Sequence, residues 1–313
     1  MAYSEIKVVA FPGAPNLPIF AALHNGYFKD EGVQIDFSTT PSSVYQFEAL
    51  AAGTADIAMT AFDNVVAYRN GSGAVKIPGK SDFSALMGAT QIELAFVANS
   101  TCKSISELLG HSIALDALTT GFAFVLYEML SRSGVNLADC KLIPVGATPE
   151  RWKSVQEGNV VGTLTIEPFT SLANAAGFPT LELSTNLFNS YQGGVVAAKD
   201  TWANDNPQVV KAYLRSYLRG LDWVLDPKNT TQAQELLLTK MPAIKPKVVE
   251  SVMRSLLNPR TGLTADGALL THGVSTVLEL RRKYGSGELL PVEDYLNLAS
   301  YKEVLQERLQ SNG

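Results

Sequence analysis

Three carboxylates, Asp63, Asp116 and Glu167, stand where β-prone runs give way to helix-prone ones, and aromatic rings (Tyr45, Phe62, Phe122, Phe169, Tyr191) stand in segments of the same kind. Such a set has two uses. Ring faces stack on a flat solute while carboxylates and hydroxyls hydrogen-bond its edges; alternatively, Asp63 or Glu167 serves as a general base. Arg151 is the only base in these segments. A dianion would therefore meet repulsion in a low-dielectric crevice, and a neutral or amine-bearing ring compound fits better. Little else supports catalysis. His24, His111 and His272 form no Ser/His/Asp or Cys/His set, and Cys102 and Cys140 have neither a CxxC nor a histidine at metal-ligand spacing. No catalytic residue, metal ligand or cofactor is expected.

Elements that would position these residues follow from periodicity. The run IKVVAF at 6–11 is apolar on both faces, as a strand covered by helices on each side must be. Pro12, Gly13 and Pro15 break it, and Ile19, Phe20, Leu23 and Tyr27 then recur at helical spacing. That helix closes at Gly32, after which Val33, Ile35 and Phe37 alternate with Gln34, Asp36 and Ser38 as a strand. A helix at 42–52 and a strand at 56–61 complete a βαβαβ unit, half of an open α/β sheet. Beyond a β-prone stretch at 84–100, a short helix, strands at 112–116, 141–145 and 160–166, and helices at 121–133 and 149–157 make a second α/β lobe. QGGVVAAKD at 192–200 returns as a strand. From 201 onward the chain reads helical, with Val209, Val210, Tyr213, Leu214, Tyr217, Leu218, Leu221 and Leu225 on one stripe. Helices at 230–240, 245–257 and 264–284 are expected to pack back on the first lobe. Gly79-Lys80-Ser81 ends like a phosphate-binding loop, but Gly73 and Gly79 enclose five residues where that motif has four, and the segment reads as a surface turn.

The chain has 313 residues, enough for two lobes, since single cores rarely grow past roughly 250. A net charge of −5 without clustered Lys or Arg argues against a nucleic-acid partner. No apolar run approaches the ~18 residues that cross a bilayer. The start MAYSEIKVVAF lacks the basic, apolar and small-residue regions of an export signal, so the expectation is either a trimmed mature form or a cytoplasmic protein. Cys102 and Cys140 fall at the amino-terminal edge of the second lobe's sheet, where a disulfide and two ordinary thiols are both open.

The succession PIFAALHNGYFKDEGVQIDF, EALAAGTADIAMTAFDNV, SISELLGHSIALD and VQEGNVVGTLTIEPF, within a likeness from about residue 6 to residue 225, resembles the solute-binding receptors of ABC importers for sulfonates, nitrate and thiamine-pyrimidine precursors. The resemblance implies an α/β, two-lobed, type II periplasmic-binding-protein-like fold: open mixed sheets with helices on both faces and a helical C-terminal extension. Residues 1–95 and 193–313 would form lobe one and residues 96–192 lobe two. It further implies a monomer whose lobes close like jaws on a small molecule, a permease as partner, and a periplasmic location with the export signal removed. A cytoplasmic enzyme acting on a small ring compound is the alternative, because relatives of this fold include a pyrimidine-forming enzyme and a desulfinase.

Ligands of open α/β sheets bind beyond the carboxyl ends of strands, where helix amino termini aim free N–H groups. The corresponding segments are 13–17, 39–45, 60–64, 116–122, 146–151 and 167–169, with 191–192 at the second crossover. Candidate ligand contacts are Asn16, Thr40, Ser43, Tyr45, Phe62 and Asp63 from lobe one, then Asp116, Thr119, Thr120, Phe122, Glu167 and Phe169 from lobe two, and Tyr191. Ordinary structural roles stand open to the same residues. Thr119 or Thr120 and Asp63 suit helix caps, Glu167 a helix amino terminus, Asp116 a lysine partner, and Phe62 and Phe169 the core. Arg151 suits either a solvated charge or a carboxylate clamp. Thr119-Thr120-Gly121 leaves an anion site open as well.

Overall fold

A computed structural model describes residues 3–311. Its strands run β1 (Ser4–Ala10), β2 (Val33–Thr39), β3 (Ile57–Ala61), β4 (Phe83–Thr90), β5 (Ala95–Ala98), β6 (Ser112–Leu115), β7 (Lys141–Pro144), β8 (Gly162–Thr165), β9 (Thr180–Leu183) and β10 (Gly194–Lys199). They form two five-stranded sheets, ordered β2-β1-β3-β10-β4 and β7-β6-β8-β5-β9. In the first, β1 lies parallel to β2, with Ser4 opposite Val33 and Ala10 opposite Thr39, and parallel to β3. In the second, β6 lies parallel to β7 and β8. The strands that enter each lobe from the other, β5 and β10, run antiparallel to their neighbours. The fold is therefore a pair of mixed α/β sheets, and the chain crosses between them after β4 and after β9.

Local sequence accounts for most elements. Ile6, Val8, Val9 and Ala10 of β1 are buried, as a central strand requires. Helix Ser43–Ala52 begins where Ser42 Oγ accepts from Tyr45 N, and helix Gly121–Arg132 begins where Thr120 Oγ1 accepts from Ala123 N. The first predicted helix is two: Leu17–His24 ends at Asn25, Gly26 takes φ 77°, and Tyr27–Asp30 adds a short turn. The left-handed residue breaks the helix before the tyrosine that had seemed to continue it. The run at 84–100 is β4 and β5 with a crossover between them. In the Gly79–Lys80–Ser81 stretch Gly79 and Lys80 are exposed, Ser81 is half-buried, and there is no regular structure.

The C-terminal helices pack back on lobe one, as expected, and reach lobe two as well. Helix Thr230–Lys240 does rest on Leu17–His24, but Pro246–Leu256 reaches Phe169–Ala175 in the second lobe. Helix Thr271–Tyr284 lies against both Phe62–Arg69 and Gly121–Arg132. One apolar cluster consequently runs from Phe62 and Val65 through Val277 and Leu280 to Phe124 and Leu130. The segment 264–284 is not a single helix, because Asp266 takes φ 55° within a turn that precedes Thr271. Cys102 and Cys140 are both free thiols. Among the described residues, no helix is long and apolar enough to cross a membrane.

Candidate functional site

A cleft of about 770 Å³, open solvent at its mouth included, lies between the carboxyl ends of the two sets of strands. Its walls are mostly apolar, from Phe11, Met59, Ile92, Phe122, Ile166 and Val195. Polar groups come from Asn16, Thr60, Asn64, Thr120 and Thr148, and the charges from Asp116 and Arg151.

The lobes touch around this cleft. Ala14 N donates to Glu167 O at 3.0 Å, Ala147 N to Pro41 O at 2.8 Å, and Ser43 N to the two Asp116 carboxylate oxygens at 3.3 and 3.2 Å. These contacts close the jaws over the cavity. At the back, the crossovers hold each other: Gly193 N donates to Gln91 O at 3.0 Å, and Ser184 N to Leu94 O at 2.8 Å. Ile92, between them, takes φ 56°. A β-branched residue there is strained by about 1–3 kcal/mol, and the strain sits at the crossover that lines the cleft.

The sequence-predicted residues divide sharply. Asn16, Asp116, Thr120 and Phe122 line the cleft. Asn16 is buried and anchored by its Nδ2 donating to Phe11 O at 2.8 Å. Thr120 caps its helix. The others stand outside the lining. Thr40 turns Oγ1 to Ser42 O at 2.6 Å, and Ser43 takes part through its backbone N–H. Tyr45 is 53% exposed. Phe62 is core, edge-on to Tyr295, and Phe169 packs into a separate cluster with Val97, Ala114 and Trp152. Thr119 is exposed and offers its carbonyl to Arg281 Nη2 at 3.0 Å. Tyr191 is buried near Phe188, where burial pushes its phenol well above the usual range.

The expectation of an acid-lined cleft is corrected by its two other carboxylates. Asp63 is fully buried and paired with Arg281, Nε and Nη2 each 2.6 Å from one of its oxygens. Glu167 borders a smaller neighbouring pocket, not the main cleft, and accepts from Ser171 Oγ at 2.9 Å and Ser171 N at 3.3 Å. Burial pushes its carboxyl upward and outweighs those two bonds. What remains in the lining is one negative and one positive charge.

Arg151 is not a solvated charge, and among the described residues it forms no ion pair. It is 3% exposed and donates from Nε to Thr163 Oγ1 at 3.1 Å, from Nη1 to Gly146 O at 2.8 Å, and from Nη2 to Thr148 Oγ1 at 3.0 Å and Leu164 O at 3.1 Å. Burial pulls its pKa down to about 10, against the fields of Asp116 and Glu150. It stays a cation at neutral pH. The arrangement offers a small solute apolar faces together with a guanidinium, a carboxylate, amides and hydroxyls. Among the described residues, no group of three or more His, Cys, Asp or Glu side chains converges as metal ligands.

Thr90, Ile92 and Ile166 also line the cleft and were not singled out by the sequence. Thr90 and Ile92 belong to the first crossover region, which lies inside the stretch 84–100 that reads as one β-prone run.

Comparisons with known proteins agree with this architecture. The model of the NMT1-like family matches residues 3–238. The formylaminopyrimidine-binding protein of Halalkalibacterium halodurans is 22% identical over 266 residues, 81% of this chain and 75% of that protein. The ligand-binding component of an ABC-type import system from Staphylococcus aureus superimposes with a TM-score of 0.78 at 13% identity, covering 96% of this chain and 99% of that one. The alkanesulfonate-binding protein SsuA of Xanthomonas axonopodis pv. citri, solved with MOPS bound, does so with a TM-score of 0.75 at 14% identity, covering 96% and 100%. At these identities the structural likeness is one of fold.

Proposed function

Since this chain belongs to the NMT1-like family, we propose that it is the solute-binding component of an ABC importer, capturing a small ring compound between its lobes and presenting it to a permease. The observation that carries this reading is the cleft itself: a cavity at strand tips, shut by backbone contacts from both sides, with apolar walls and a few convergent polar groups. The names of its relatives support it, because they bind formylaminopyrimidine and alkanesulfonate and serve import systems.

The moving bodies are the two sheets with the helices that pack on each alone, turning about the crossovers near Ile92 and Gly193, and helix Thr271–Tyr284, which touches both lobes, is the joint between them. The ligand is a single ring, neutral or amine-bearing, with an acceptor for Arg151 and a donor for Asp116. Asn16, Thr120 and Phe122 complete its contacts. The protein works as a monomer outside the inner membrane, in keeping with delivery to a permease.

A thermal-shift screen with pyrimidines, aminopyrimidines, alkanesulfonates and nitrate tests this. A ligand at a hundredfold its Kd stabilises by about 2.7 kcal/mol, a rise of several degrees in a chain of this size. Aminopyrimidines and related rings are expected to raise the midpoint. A response confined to nitrate and alkanesulfonates overturns the ligand class, and conversion of a ring compound to product overturns the receptor.

A further inference from the structure

We propose that Asp116 sets the charge preference of the cleft, standing as an internal anion that caps the lobe-one helix Ser43–Ala52 and faces the buried Arg151, so that neutral or amine-bearing solutes enter and anions are refused. The assignment rests on reading the cleft as a ligand site.

Arg151 is the starting point. A guanidinium has five N–H donors, and the four hydrogen bonds Arg151 makes all go to neutral acceptors: two threonine hydroxyls and the carbonyls of Gly146 and Leu164. No carboxylate is within ion-pair distance of it among the described residues. Those bonds fix the group firmly, yet they leave its charge uncompensated in the cavity wall. Asp116 lines the same wall and is the carboxylate whose field acts on it most strongly.

Asp116 does not close onto Arg151. Its oxygens lie 3.3 and 3.2 Å from Ser43 N, at the first residue of a ten-residue helix, where the backbone dipole favours negative charge. An anionic solute entering this cleft would seek the guanidinium and that helix terminus. Asp116 already holds the helix terminus and lies in the same lining as the guanidinium. A carboxylate or sulfonate would have to displace Asp116 from Ser43 or lie beside it, and a crevice with apolar walls does little to screen like charges. A neutral ring meets no such opposition, and an amine meets a carboxylate still able to accept.

The contact with Ser43 also spans the lobes, so closure and charge must be separated. Asp116→Asn keeps an oxygen for the Ser43 N–H and drops only the charge; Asp116→Ala drops both. Binding of three pyridines of matched shape, nicotinamide, nicotinate and 3-(aminomethyl)pyridine, is measured by calorimetry on the full chain and both variants. The parent is expected to favour the neutral and amine probes over nicotinate. Asp116→Asn is expected to raise the affinity ratio of nicotinate to nicotinamide at least fivefold. A smaller change in that ratio overturns the assignment, including the case where all three probes weaken equally and Asp116 is a latch alone. Binding with an unchanged ratio leaves the receptor reading standing. No heat with any probe on parent or variants removes the cleft as a site for ring solutes, and the role of Asp116 with it.

Discussion

Arg281 meets Asp63 edge-on, with Nε and Nη2 each 2.6 Å from a different carboxylate oxygen and both side chains almost wholly buried. The same Nη2 donates to Thr119 O at 3.0 Å, so a helix near the C-terminus ties together a helix of one lobe and a loop of the other. Two buried charges cost several kcal/mol each in lost hydration, and good geometry with further hydrogen bonds is what offsets it. Removing one partner strands the other. Arg281→Ala or Asp63→Ala is expected to destabilise the fold by about 3–5 kcal/mol, read from chemical denaturation. Replacing both at once, as Asp63→Leu with Arg281→Met, is expected to recover a large part of that loss. A double variant as unstable as the sum of the single ones would show that shape, and not charge pairing, holds this joint.

Gly121 stands next to that pair. A Cβ on it would lie 2.5 Å from Asp63 Cβ, 2.7 Å from Asp63 Cγ and 2.9 Å from the Tyr191 hydroxyl. Only a residue without a side chain allows the first turn of helix Gly121–Arg132 to approach Asp63 so closely. Gly121→Ala is expected to cost about 1–3 kcal/mol through overpacking, despite the better helix propensity of alanine. Because Asp63 and Gly121 come from opposite sides of the cleft, solute affinity should fall as well. A variant that melts with the parent and binds as tightly would mean that the two sides stand farther apart in solution.

Much of the scaffold was legible because it is written in local periods. A strand apolar on both faces, β1, and a helix leading from it to the alternating strand at Val33–Phe37 point to a parallel βαβ unit, and strand tips then locate the cleft. That reasoning reached Asn16, Asp116, Thr120 and Phe122, which do line it. It failed where direction or distance in the chain matters. Tyr45 and Phe169 lie in the right segments, yet one points to solvent and the other into a cluster beside Trp152. Asp63 looked like a cap or a ligand contact, and its partner lies 218 residues away on a helix whose stripe shows which face is buried but not against what. Arg151, from its own window, reads as a solvated charge or a carboxylate clamp. Its burial depends on Thr163 and Leu164, residues of a strand that the helix only meets once folded.

Glu128 supplies a pH signature for the contact between helix Thr271–Tyr284 and lobe two. Its carboxylate accepts from Arg132 Nε at 2.9 Å, Lys283 Nζ at 2.6 Å and Tyr284 Oη at 2.7 Å. Burial by itself would raise its pKa, but the bonds from Lys283, Tyr284 and Arg132 outweigh it and hold the group at about 2, below the ordinary 4.5. A carboxyl depressed in the folded state contributes stability that is complete above its unfolded value and is lost as protons return. The window runs from about 4.5 down to about 2. Glu128→Gln is expected to melt below the parent at pH 7, with the gap narrowing through that window and nearly closing at its acid end. Added salt should shrink the gap at neutral pH, since Lys283 is half exposed and its attraction is open to screening. Melting curves from pH 7 to pH 2, at low and high salt, decide it. A gap that stays constant with pH would assign the loss to packing of the amide, and the three donors would then contribute geometry without the charge.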